Sequence, residues 1–124
     1  MIKEMTVVFI GGGIGSLLRY GVQTVWRSHH PLPYTFPWST FIVNIAGSFL
    51  IGLFYALAMR FHISPKICLL LTTGLCGGFT TFSTFSNDGM LLLKQGDIVT
   101  FMLYAVLSMV FGLAAVFAGN WCGR

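Results

Sequence analysis

The sequence predicts an all-α membrane protein of four transmembrane helices, the third of them broken. Three observations lead there. Of the 124 residues 56% are hydrophobic and only 8% charged, whereas a soluble domain carries about a quarter charged residues. The few charges divide the chain into four apolar stretches, each meeting the roughly 20 residues a helix needs to cross a bilayer. Within the third stretch, residues 74–85 set three glycines beside a run of hydroxyls, poor material for an unbroken helix.

The first span covers about residues 5–26, with Arg19 near its far end. The opening Met1-Ile2-Lys3-Glu4-Met5 superficially resembles a signal peptide. The apolar stretch behind it is too long and lacks a clear small-residue cleavage site, so it is read as the first helix. The second span covers about 38–59, the third about 66–93 and the fourth about 98–121, which together form a single transmembrane domain over residues 1–124. His29-His30-Pro31-Leu32-Pro33 and Phe36-Pro37 join the first two spans. His62-Ile63-Ser64-Pro65 joins the next pair, with Pro65 suited to a first helical turn. Lys94-Gln95-Gly96-Asp97 precedes the last span, with Asp97 a fitting N-cap. Four crossings put both termini on one side.

The formal net charge of +4 is thinly spread, and without a basic cluster nothing points to nucleic acid. Lys and Arg at span ends meet lipid headgroups instead. The terminal side holds Lys3, Arg60, Lys66 and Arg124, and the other side Arg19, Arg27 and Lys94. So small a bias sets orientation weakly. Two outcomes follow: insertion both ways with antiparallel self-pairing, or one orientation held by the slight excess. A C-terminal tag found on both faces of the membrane, or on one, separates them.

Small residues four apart recur at Gly11 and Gly15, Ser48 and Gly52, Gly74 and Gly78, and Ser108 and Gly112. In lipid, helix association relies on packing, and such faces let backbones approach. Gly11-Gly12-Gly13-Ile14-Gly15 looks like part of a phosphate loop, but its spacing is incomplete and it lies inside a span. Close packing is its better account. Cys68, Cys76 and Cys122 lack any CxxC spacing and read as small buried hydrophobes, not as a disulfide framework or zinc site.

Enzyme chemistry finds no footing. Glu4 and Asp97 sit near span ends, Asp88 alone is deep, and His29, His30 and His62 fall in linkers without metal-ligand spacing. What remains is a set of uncharged hydrogen-bonding groups in hydrocarbon. Asn44 lies in the second span, Thr80, Thr81, Ser83, Thr84, Ser86 and Asn87 in the third, and Tyr104 and Ser108 share a face of the fourth. A single membrane Ser or Thr ordinarily bonds its own helix. Asn44 is different, because a buried amide needs partners its own helix supplies poorly. Together these groups make a donor-rich track nearly free of acids, which favours a small anion over a cation. Unwound carbonyls at the break can hold Na⁺. Phe82 and Phe85 share a face, either as core aromatics or as rings whose positive edges meet an anion.

Gly77-Gly78-Phe79-Thr80-Thr81-Phe82-Ser83-Thr84-Phe85-Ser86 closely resembles the signature of the Fluc (CrcB) fluoride channels. The likeness extends to residues 11–19, to Val43-Asn44 and to Tyr104 and Ser108, and so covers essentially the whole chain. The resemblance implies an antiparallel, dual-topology homodimer in the bacterial inner membrane, with two fluoride pathways. It implies a structural Na⁺ at the dimer interface, held by the backbone carbonyls of Gly77 and Thr80 from both subunits. Phe82 and Phe85 then offer ring edges to fluoride, Asn44 its amide, and Ser83, Thr84, Tyr104 and Ser108 their hydroxyls. Arg19 matches the family's first-helix arginine, drawing anions into a vestibule or snorkelling to the interface. Gly112 departs from the hydroxyl relatives often carry, and Asp88 stands where some carry Glu; Asp88 is expected to organise nearby hydroxyls such as Thr84.

The implied activity is passive, fluoride-selective export of cytoplasmic fluoride, which confers fluoride resistance. Fluoride is small and strongly hydrated, so a pore must replace its water with dense donors. Two rivals stand beside this reading. A small proton-coupled multidrug exporter shares the four-helix dimer, but needs a deep first-helix carboxylate where this chain has only terminal Glu4. A non-transporting membrane assembly subunit would use the glycine faces for docking and move no ion.

Overall fold

The computed structural model describes residues 1–29 and 36–124. The His30-Pro31-Leu32-Pro33 part of the first linker lies outside the described residues. Helix α1 runs Ile2–His29 and α2 Trp38–Arg60. The third span starts as α3 (Pro65–Leu69), widens into a π-helical stretch (Leu70–Cys76), and continues as α4 (Gly77–Phe79) and α5 (Phe82–Lys94). Helix α6 runs Ile98–Cys122. Taking Pro65–Lys94 as one, four helices are long and apolar enough to cross a membrane. The protein is an integral membrane protein.

Local chemistry sets the helix ends. Pro65 opens α3 behind Ser64, whose hydroxyl accepts from the Ile67 N–H at 3.4 Å. Asp97 caps α6 as expected, its Oδ1 accepting from the Thr100 N–H at 3.1 Å. The turn between α5 and α6 needs a left-handed residue, and Gly96 supplies it at φ 78°.

Contact pairs give the helix directions. A β-carbon on Gly11 would meet Leu70 and Gly74, and one on Gly15 would meet Leu75 and Phe79, so α1 and the third span run parallel. Gly112 faces Ser48 and Gly119 faces Phe49 and Leu53, so α2 and α6 run parallel. Asn44 meets Thr81 while Gly47 meets Thr80, so α2 opposes the third span. Both chain ends therefore lie at one end of the bundle, where Arg60 Nη1 donates to the Arg124 carbonyl at 3.0 Å.

The interior is small and glycine-rich, while large apolar side chains point outward. Phe9, Met109 and Phe117 are exposed, whereas Val43 and Tyr104 are fully buried. That inversion suits lipid as the surrounding solvent. Its cohesion comes from close backbone approach, because hydrocarbon offers no hydrophobic drive between helices.

Candidate functional site

Around Thr80 and Thr81 the helical hydrogen-bond ladder is replaced by side chains. Thr80 closes α4 with extended backbone (φ −83°, ψ 156°), and Thr81 is extended too (φ −149°, ψ 120°). Both the Thr80 N–H and its hydroxyl donate to the Cys76 carbonyl, at 2.9 and 3.0 Å. Thr81 is the N-cap of α5. Its hydroxyl accepts from the Thr84 N–H at 3.2 Å and donates to the Thr84 hydroxyl at 3.2 Å. Ser83 Oγ lies 3.3 Å from the same oxygen.

Asn44 reaches this point from α2. Its Oδ1 accepts from the Thr81 N–H at 2.8 Å, and its Nδ2 donates to the Thr81 carbonyl at 3.1 Å. The side-chain amide thus pairs with one residue's backbone as a neighbouring strand would. Leaving that backbone unpaired in a buried setting would cost about 1–3 kcal/mol per group. One Nδ2 hydrogen of Asn44 remains for another acceptor. From α1, Arg19 Nε donates to the Gly78 carbonyl at 3.1 Å.

In an unbroken helix the N–H of residue i serves the carbonyl of residue i−4. The Thr81 N–H would serve Gly77, and the Thr84 N–H would serve Thr80. Here the first goes to Asn44 and the second to the Thr81 hydroxyl. The carbonyls of Gly77 and Thr80 are thereby relieved of their helical donors.

Beside this segment lies a cavity of about 470 Å³, lined by residues that include Asn44, Gly77, Thr80, Phe82, Phe85 and Ser108. Its lining carries no carboxylate. Six of the residues expected from the sequence therefore converge on one space. Phe82 and Phe85 stand 5.8 Å apart between ring centroids, at 36°. Phe85 is half-buried, but Phe82 is 79% exposed on this chain. The Ser108 hydroxyl is buried and has no hydrogen-bond partner among the described residues.

The other expected residues sit elsewhere. Ser83 is exposed, Thr84 belongs to the α5 cap, and Arg19 is tied to Gly78. Tyr104 is fully buried, its ring 4.9 Å from Phe85 and 5.3 Å from Phe36, and its hydroxyl donates to Asp88 Oδ2 at 3.2 Å. Asp88 therefore organises Tyr104, while Thr84 bonds Thr81. Two more lining residues bear on the site. Ser48 enters the sequence reading only as half of a small-residue pair, although it stands one helical turn beyond Asn44 on the same face. Gly47 is the other, and a β-carbon there would collide with the Thr80 methyl.

These features define a class of protein: an integral membrane protein whose apolar helices surround a donor-lined space free of acids. More particularly, the chain belongs to the CrcB family. Residues 6–120 match the family described as "CrcB-like protein, Camphor Resistance (CrcB)". Over 123 residues the chain is 49% identical to the "Fluoride-specific ion channel FluC" of Bacteroides fragilis, covering 98% of this chain and 97% of that one. It is 49% identical to the protein of that name from Phocaeicola vulgatus, over 96% of this chain and 97% of the relative. The likeness to that of Leptospira interrogans is 45%, over 96% and 93%. The family is one of ion channels, and the protein is not an enzyme.

Proposed function

We propose that this protein is a fluoride-selective channel that passively exports cytoplasmic fluoride across the bacterial inner membrane and so confers fluoride resistance. The observation that carries the reading is the cavity: Asn44, Ser108, Phe82 and Phe85 line it, and no carboxylate does. The name carried by the relatives agrees with it. Dehydrated fluoride needs several short donor contacts at once. The free Asn44 amide hydrogen, the unpartnered Ser108 hydroxyl and the positive edges of the two rings supply them. Larger, more weakly hydrated anions gain less from these donors.

Two chains pair antiparallel in a dual-topology homodimer, with the third span acting as a broken helix. The 79% exposure of Phe82 supports this, since a ring meant to border an anion needs a second surface across from it. Exposed Gly77 presents its backbone on the outer face of the chain, where a partner would lie. A structural Na⁺ suits the same point. The carbonyls of Gly77 and Thr80 have lost their helical donors, and hard cations take oxygen ligands. When bound, the ion would tie the two interruptions together. Arg19, anchored on Gly78, places positive charge beside the route. Tyr104, held by Asp88, buttresses Phe85.

A proton-coupled exporter has no support. The only first-helix carboxylate, Glu4, lies at the helix start and pairs with the Met1 ammonium at 2.8 Å. The test is a fluoride-electrode trace on proteoliposomes with potassium current balanced by valinomycin. Release well above that of protein-free vesicles is expected. Retention equal to theirs would leave only the assembly-subunit reading, and proton-driven efflux of a lipophilic cation would revive the exporter.

A further inference from the structure

We infer that Ser48 is a second hydroxyl donor to the conducted anion, acting with Ser108 across the α2–α6 seam; the inference rests on the fluoride-channel reading above. Ser48 and Ser108 line the same cavity from facing helices. Ser48 follows Asn44 by one turn, so α2 presents an amide and a hydroxyl in succession to one space. Neither serine makes the bond to its own i−4 carbonyl that Thr72 and Thr80 make, at 2.7 and 3.0 Å. Among the described residues neither hydroxyl is engaged in a hydrogen bond. Ser108 Oγ is also buried, and buried polar atoms rarely go without a protein, water or ligand partner.

Gly112 explains why Ser48 has the task. It sits one turn beyond Ser108 on α6 and carries no side chain. A β-carbon built there finds a single neighbouring atom within 4 Å, Ser48 Oγ at 3.8 Å. Positions one helical turn apart are about 5–6 Å apart at their β-carbons. The Ser48 hydroxyl thus stands at the level where α6 runs out of donors, about one helical turn along from Ser108 in the same cavity. An anion leaving the Asn44 level would pass into this pair.

The experiment is fluoride release from proteoliposomes by wild type, Ser48→Ala, Ser108→Ala, the double variant, and Ser48→Ala combined with Gly112→Ser. Each is first checked for a monodisperse elution profile. If the wild type releases no fluoride, the channel reading fails and the Ser48 assignment falls with it. If the wild type conducts, each single serine variant is expected to slow release about tenfold. The double variant should fall little further, because two donors to one ion couple. The Gly112→Ser change should restore much of the lost rate by supplying a hydroxyl at the same level. A conducting wild type with Ser48→Ala within about twofold of it overturns the assignment. Should Ser48→Ala aggregate, Ser48→Cys keeps a side chain of the same connectivity, slightly larger, while weakening the donor, and the same two outcomes decide.

Discussion

The seam between α1 and the third span and the seam between α2 and α6 are both built on glycine, yet it is the second that opens onto the cavity lined by Asn44 and Ser108. On the first, glycine meets backbone along its length. A β-carbon on Gly11 would stand 2.6 Å from the Leu70 carbonyl oxygen, and one on Gly78 would strike the Gly12 carbonyl. On the second, Gly52 and Gly119 are as tight, against the Val116 and Phe49 carbonyls. Towards the other end, however, Ser48 faces Gly112 at ordinary van der Waals distance, and the helices leave room beside Thr80. Glycine closes a seam where both partners bring backbone to it. A serine opposite glycine leaves a polar space instead.

The largest effect expected from this contrast is at Gly15, where any β-carbon collides with the Leu75 carbonyl. Gly15→Leu should abolish the monodisperse folded protein in detergent, because overpacking against backbone costs at least about 1–3 kcal/mol and here cannot relax by rotamer change. On the cavity side, Asn44→Asp leaves the chain able to pack but puts a negative charge into the cavity and loses the donor to the Thr81 carbonyl. Fluoride release should fall about 10- to 100-fold, and an unchanged rate would remove Asn44 from the pathway.

Arg19 belongs to the first seam, on α1 and bonded across it to the Gly78 carbonyl. Arg19→Lys keeps the charge and loses the planar Nε donor. Flux should drop about 2- to 10-fold, whereas full activity would mean that charge alone matters there. Tyr104→Phe removes one hydroxyl from Asp88 and keeps the ring against Phe85. It should lower thermal stability by about 0.5–1.5 kcal/mol and leave selectivity intact. The smallest effect belongs to Gly13→Ala, since a β-carbon there meets nothing within 4 Å. Elution and flux should match the wild type, and a defect would show that the α1 seam extends around that helix.

Span number and the helix starts at Pro65 and Asp97 were legible in the sequence because hydropathy and capping are local. Asp97 and Pro65 announced their turns, and the charges bounded the apolar runs. Asn44 could be singled out because a buried amide must find partners, but not which partners. That both go to the Thr81 backbone depends on α2 opposing the third span, a tertiary fact. Likewise Thr84 and Asp88, four residues apart, looked like a pair on spacing alone. The N-cap of α5 claimed Thr84, and Tyr104 from a distant helix claimed Asp88. Ser48 stayed hidden among small-residue pairs, since packing and lining use the same residue types and only the width of the seam tells them apart.

The most direct measurement loads vesicles with equal fluoride and chloride and follows both with ion-selective electrodes after valinomycin is added. A cavity that replaces fluoride's hydration with fixed donors predicts rapid fluoride release while chloride stays near the level of protein-free vesicles. Loss of both halides at similar rates, or of neither, would contradict it.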